Sequence, residues 1–200
     1  MKTVVVFDHP YTAAASENVP HNRSFCAALC KRVMLQLEQQ GEEVDLMDLH
    51  ADGFNPVMSA ADLANWRKGV PMDDQVADYQ DRIRKADRIV FIFPVWWELM
   101  PAMTKGFIDK VYAKNVLYDQ GDGTHMETRL PRDTRVVVMT VMSTPKGLYK
   151  TVFGKPVVKA LQRGTFSKTG LRNFSWMSYS GVDKLSPEQR EKLLESVTVE

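Results

Sequence analysis

Three short, almost uninterrupted apolar runs constrain this chain more than any other feature of its sequence. They are residues 3–7, 88–93 and 135–142, and the purest is Ile89-Val90-Phe91-Ile92-Phe93, stopped by Pro94. Strands that carry no polar face are covered on both sides, which is the condition of a parallel sheet wrapped by helices. Two further strands are expected, at residues 43–49, where Val44, Leu46 and Leu49 alternate with polar positions, and at residues 173–178. Stretches with helical spacing separate them. From Ser24 onward Phe25, Ala28, Leu29, Val33, Leu35 and Leu37 form a stripe that Gly41 ends. Other helices are expected at residues 60–67, 74–86, 102–114, within 147–163, and at 187–196. Residues 9–23 read as loop and 115–133 as a polar connection turning at Gly121-Asp122-Gly123-Thr124. The reading is one α/β domain spanning residues 1–200, a doubly wound, five-stranded parallel sheet with helices on both faces.

Charge narrows the partners. Lys and Arg total 26 against 25 acidic residues, a net charge of +1. That balance disfavours nucleic acid, which demands a concentrated basic surface, and equally a polybasic membrane anchor. No apolar run approaches a membrane span, and mean hydropathy is −0.29. The apolar start is too short for a signal peptide. Cys26 and Cys30 share a helix face without a CxxC spacing, and no metal site is expected. They read as reduced, semi-buried thiols of a cytoplasmic protein, with a redox pair as the sharper alternative.

In a doubly wound sheet ligands bind beyond the carboxyl ends of the strands. Three loops are therefore candidates. The first runs from His9-Pro10 to Ser24-Phe25-Cys26 and ends at a helix start suited to a phosphate, with Asn22 or Arg23 as further donors. Ser24 is equally read as a plain helix cap. Neither GxGxxG nor GxxxxGK[ST] is present. The second loop, Pro94-Val95-Trp96-Trp97-Glu98-Leu99-Met100-Pro101, sets two tryptophans between prolines, suited to a flat heteroaromatic ligand. One ring is expected to be buried and the other to line a pocket. The third, Ser143-Thr144-Pro145-Lys146-Gly147-Leu148-Tyr149, offers hydroxyls and a tyrosine that either donates a proton or packs.

Taken together, His9-Pro10, Ser24-Phe25, Phe54-Asn55-Pro56, Ala86-Asp87, Phe93-Pro94-Val95-Trp96-Trp97, Pro101-Ala102 and Lys105-Gly106-Phe107-Ile108-Asp109-Lys110-Val111 resemble the NAD(P)H:quinone oxidoreductases, the DT-diaphorase-like family, in its short bacterial branch. The resemblance runs from residue 3 to about 180. It implies a flavodoxin-like fold, a homodimer with both subunits at each active site, and a tightly held flavin. Carried over by motif, His9 and the Ser24-Phe25-Cys26 amides would meet the flavin phosphate and ribityl region. Pro94, Val95, Trp96 and Trp97 would lie along the isoalloxazine, with Ser143, Thr144 and Tyr149 at its far edge. The family's longer, FAD-binding members carry a C-terminal extension; this chain stops at Glu200, which favours FMN. Four departures stand out: a first loop lengthened by residues 12–22, Cys26 in place of the usual Asn, a third loop without the family's glycines, and Lys155 where a histidine follows the active-site tyrosine.

The expected activity is ping-pong, two-electron transfer from NAD(P)H to a quinone or another flat electrophile, the cofactor carrying the chemistry. Tyr149 would steady developing charge, and Lys155 would supply the positive charge of the missing histidine or is simply a solvated lysine. The alternative is a flavin-loaded regulatory or ancillary subunit of a transport system with little turnover. A one-electron flavodoxin carrier fits less well, since such carriers are strongly acidic.

Overall fold

A computed structural model of the chain describes residues 1–17, 24–121 and 125–199. Five parallel strands form its sheet: β1 (Lys2–Phe7), β2 (Glu43–Asp48), β3 (Arg88–Pro94), β6 (Arg135–Met142) and β7 (Phe174–Ser180). The short strands β4 (Tyr118–Gln120) and β5 (Met126–Thr128) pair with each other outside it. The sheet order is β2-β1-β3-β6-β7, which is 2-1-3-4-5 in its own strands, the flavodoxin order. Its direction reverses between β1 and β3, where Phe7 pairs with Ile92. Both strands therefore end at the switch point, and Pro94 pairs onward with Val141 of β6.

The alternation of side chains explains why the strands are apolar throughout. Val4, Val6, Ile89, Phe91, Phe93, Val136 and Val138 point into one buried layer. That layer is closed by α3 (Asp74–Arg84) and α4 (Ala102–Val111), and by α6 (Pro156–Val158) with the π-helix Lys159–Phe166 that continues it. Val5, Phe7, Val90, Ile92, Val137 and Met139 point the other way, against α1 (Phe25–Gln39) and the α7 helix (Pro187–Glu195). The α1 stripe is buried as expected except Leu35, which is exposed.

Two of the segments that carry the family resemblance meet in one structural contact. A Cβ on Gly106 would stand 2.4 Å from the Pro56 backbone, so glycine alone lets residues 54–56 lie on α4. Buried Lys110 Nζ then donates to the Asn55 carbonyl at 3.0 Å and lies 3.9 Å from Asp62, in α2 (Ala60–Lys68), and from Asp73.

The structure departs from the sequence reading in several places. Within the expected first loop, Ala13–Glu17 is a 3-10 helix. The Asp48 carboxylate holds its first N–H, Ala13, at 2.7 Å, a partner 35 residues away that local sequence does not show. Asn22 and Arg23 lie outside the described residues, as do residues 122–124 of the expected turn. The polar connection contains the β4–β5 hairpin. The single helix expected within 147–163 is split into α5 (Lys146–Thr151) and α6, because Gly154 and Lys155 both take positive φ ahead of Pro156. Cys26 and Cys30 are free and fully buried rather than semi-buried.

Candidate active site

The sheet delivers all three loops to one edge. At the end of β1, Asp8 is 1% exposed and its carboxylate is held from both sides. One oxygen accepts from the Thr104 N–H at 2.7 Å and from the Thr104 hydroxyl, and the other lies 3.1 Å from His50 Nε2. Thr104 is in the first turn of α4, whose N-cap, Pro101, has no side chain able to cap. Asp8 supplies that cap from another strand and thereby fixes where the second loop ends.

His9 is half-buried, and its Nδ1 accepts from the Tyr11 N–H at 3.0 Å. Burial lowers its pKa against the smaller raising effects of that bond and of Asp8, which favours neutral imidazole with Nε2 as its N–H donor. Ser24 is 3% exposed and caps α1, its Oγ accepting from the Ala27 N–H at 3.1 Å. The Phe25 and Cys26 side chains go into the core, so those residues face the loop only through their backbone. Among the described residues their N–H groups have no acceptor.

The second and third loops are knotted together. Val95 N–H donates to the Val141 carbonyl at 2.8 Å, and Trp96 and Leu99 exchange both backbone hydrogen bonds at 3.0 Å. Trp97 and Glu98 form the turn between them with φ of 50° and 63°. Both central residues of such a turn normally want Asn or Gly, and bulky residues held there cost about 1–3 kcal/mol each. The third loop anchors this strained turn. Thr144 Oγ1 donates to Glu98 Oε1 at 2.7 Å, and the Tyr149 hydroxyl donates to the Glu98 carbonyl at 3.1 Å. The Trp97 and Glu98 N–H groups are unengaged among the described residues. Glu98 Oε2 is buried and has no hydrogen-bond partner among them.

One expectation changes. Neither tryptophan is buried: Trp96 is 45% and Trp97 97% exposed, because the turn throws both rings off the sheet. Tyr149 is 0% exposed, and its hydroxyl also accepts from the Val157 N–H at 3.3 Å while its ring packs against Trp176. Burial raises its pKa. Pro94 is buried, Val95 and Thr144 are half-buried and Ser143 is exposed. Lys155 is half-buried and left-handed, its N–H donating to the Tyr149 carbonyl at 3.0 Å. Sequence reasoning missed Asp8, His50, Thr104 and Glu98. An acid at the end of an apolar strand, and another inside an aromatic loop, were legible signals for Asp8 and Glu98; nothing marked His50 or Thr104.

A concavity of about 320 Å³ lined by Trp66, Tyr112, Tyr118 and Met126 lies elsewhere, along the far half of α4. It contains none of the three loops. The strand-end loops, with their strained turn and free polar groups, are the better candidate for chemistry.

Topology and site together define an α/β protein built to take a ligand across three strand ends. The chain belongs to the flavodoxin-like fold family, whose model matches residues 1–198. It is 25% identical over 197 residues to an uncharacterized NAD(P)H oxidoreductase of Haemophilus influenzae, covering 98% of this chain and 91% of that one. A ribosyldihydronicotinamide dehydrogenase (quinone) of Mus musculus is also 25% identical over 197 residues, covering 87% and 83%. The solved FMN-dependent NADH-azoreductase of Bacillus anthracis, in complex with FMN, superposes with a TM-score of 0.72 at 16% identity, covering 98% and 97%, a likeness of fold.

Proposed function

We propose that this chain is an FMN-dependent NAD(P)H:quinone oxidoreductase that also accepts related flat electrophiles, working by a ping-pong, two-electron cycle. The observation that carries this is the Trp97–Glu98 turn, a strained pair of residues held at the switch-point edge with both N–H groups unengaged among the described residues. One relative is an NAD(P)H oxidoreductase by name, another a quinone-linked ribosyldihydronicotinamide dehydrogenase, and the fold neighbour holds FMN.

The residues present fit FMN. Its phosphate would be met by the Ser24 hydroxyl, whose proton is free while its oxygen caps Ala27, by the Phe25 and Cys26 N–H groups, and by His9 Nε2. Pro94, Val95, Trp96 and Trp97 would lie along the ring system, with Ser143 and Thr144 lining it from the third loop. When bound, FMN supplies the exchange of a hydride between NAD(P)H and the acceptor. Asp8 keeps the second loop placed through Thr104. Tyr149 holds the Glu98 carbonyl, and Lys155 contributes positive charge from the segment bonded to Tyr149. Trp97 offers an open aromatic face on which flat substrates can stack in turn.

The enzyme works as a homodimer. Trp96, Trp97 and Leu99 of the second loop, with Leu148, Val152 and Phe153 on and after α5, are exposed apolar residues on segments tied together by the Glu98 contacts. A second copy covering them would complete each site. The chain acts as one domain in the cytoplasm, which the buried free thiols suit; among the described residues no helix is long and apolar enough to cross a membrane.

The test is the absorption spectrum of the purified protein, followed by steady-state NAD(P)H oxidation with a quinone. Bound FMN that is released on denaturation, together with rapid turnover, is expected. A protein that cannot bind added FMN refutes the reading, and FMN binding without turnover favours the ancillary flavoprotein instead.

A further inference from the structure

Glu98 has a carboxylate that is only half used among the described residues. Its Oε1 is taken by Thr144, its carbonyl by Tyr149, and its backbone is bent to φ 63°. The second carboxylate oxygen, Oε2, is buried without a hydrogen-bond partner among the described residues. A carboxylate oxygen can only accept, and leaving one buried and unpaired is costly. The turn that creates this situation is itself strained, so the arrangement is maintained against two separate penalties. A ligand that brings a donor removes the first of them.

The polar edge of an isoalloxazine ring presents, in order, an acceptor (the C4 carbonyl), a donor (N3–H) and an acceptor (the C2 carbonyl). A protein reading that edge needs the complementary order of donor, acceptor and donor. The two knotted loops hold those parts together: the free Trp97 and Glu98 N–H groups, Glu98 Oε2, and the exposed Ser143 hydroxyl. We infer that Glu98 is the flavin-recognition residue of this chain, its Oε2 accepting the hydrogen bond from N3–H of FMN. This rests on the FMN reading above. It assigns the carboxylate to binding and positioning of the ring, with the Thr144 bond setting which oxygen faces the ligand.

The experiment titrates the full chain, stripped of flavin, with FMN and with N3-methyl-FMN, following flavin fluorescence. Methylation removes the single donor and adds bulk against Oε2. A buried hydrogen bond to a carboxylate corresponds to roughly ten- to a hundredfold in affinity, so the wild-type chain should bind FMN tighter than N3-methyl-FMN by that factor. Glu98→Ala should weaken FMN by a similar factor, leave N3-methyl-FMN bound at least as tightly as in wild type, and so erase the discrimination. In the holoprotein, alkaline titration of the flavin spectrum should show the N3 proton leaving at higher pH in wild type than in Glu98→Gln, because a carboxylate opposes the N3 anion.

Equal affinity of the wild-type chain for the two flavins overturns the assignment while leaving the FMN reading intact, and needs no variant to fold. Discrimination that persists in Glu98→Ala overturns it as well. A wild-type chain that binds neither flavin overturns both readings together.

Discussion

Replacing Tyr149 by Phe separates a residue that takes part in chemistry from one that holds the machinery in place. The ring stays, so no cavity opens and the contact with Trp176, at 5.9 Å between centroids, survives. What is lost is one oxygen with two hydrogen bonds, to the Glu98 carbonyl at 3.1 Å and from the Val157 N–H at 3.3 Å. Each group left unpaired in the interior costs about 1–3 kcal/mol, less where water reaches it. The Glu98 side lies near the rim and the Val157 side is buried, so a total near 2 kcal/mol is expected. For a chain of this length that lowers Tm by about 4–8 °C. The same loss frees the Glu98 carbonyl, so the turn at φ 50° and 63° relaxes and its N–H groups leave the ligand. FMN affinity should fall about tenfold alongside the melting temperature, that is by roughly 1.4 kcal/mol. Differential scanning calorimetry of the flavin-free chain and fluorescence titration of FMN measure the two quantities on one preparation. If the hydroxyl were the proton donor of the reaction, stopped-flow flavin reduction or reoxidation would slow while Tm and affinity stayed at wild-type values. That outcome refutes the positioning role and returns Tyr149 to the catalytic one.

Asp8→Ala strips the Thr104 N–H and hydroxyl and His50 of their buried partner, and should destabilise the chain by about 2–4 kcal/mol in urea unfolding; a loss under about 0.5 kcal/mol would show that α4 does not depend on this cap. His9 titrates below its ordinary range because burial disfavours its charged form. The unfolded chain therefore binds its proton first, and stability of the flavin-free protein should fall as pH drops below about 6.5, a slope that His9→Gln flattens in pH-dependent melts. Burial pushes the Cys30 thiol up to about 12 and the Cys26 thiol higher still. Neither should react with a thiol reagent at pH 8 until the chain is denatured, and fast native labelling would revive the redox pair. Trp97 is 97% exposed, so Trp97→Ala should leave Tm within about 1 °C while raising the KM for a quinone or lowering the dimer mass seen by light scattering.

Much of this architecture is written in local pattern. Residues 88–93 are apolar at every position but the first, a run that makes sense only as a strand covered on both faces, and the helical spacing between such runs leaves a parallel sheet as the outcome. From that follows the place of the candidate site, since ligands in such sheets gather beyond the strand ends, and the strand ends that carry the three loops lie side by side. What local pattern cannot carry is any partner chosen by the fold. The Asp8 carboxylate caps a helix 96 residues away, and Asp48 starts a short helix 35 residues back. The aromatic loop reads in sequence as one buried ring and one exposed ring. Tertiary structure decides otherwise, because the pairing of Trp96 with Leu99 forces the two residues between them into left-handed backbone and turns the rings outward. The surroundings of Tyr149 are set in the same way. A tyrosine seven residues past a strand reads in sequence as a proton donor or a packing residue alike; the fold supplies its partners, the Val157 N–H as α6 comes back over it and the Glu98 carbonyl from the second loop. Long-range hydrogen bonds of this kind set the surroundings in which a side chain acts. The bonds from Asp48, Tyr149 and Asp8 to Ala13, Glu98 and Thr104 leave no periodicity in the sequence, because they join segments 35, 51 and 96 residues apart.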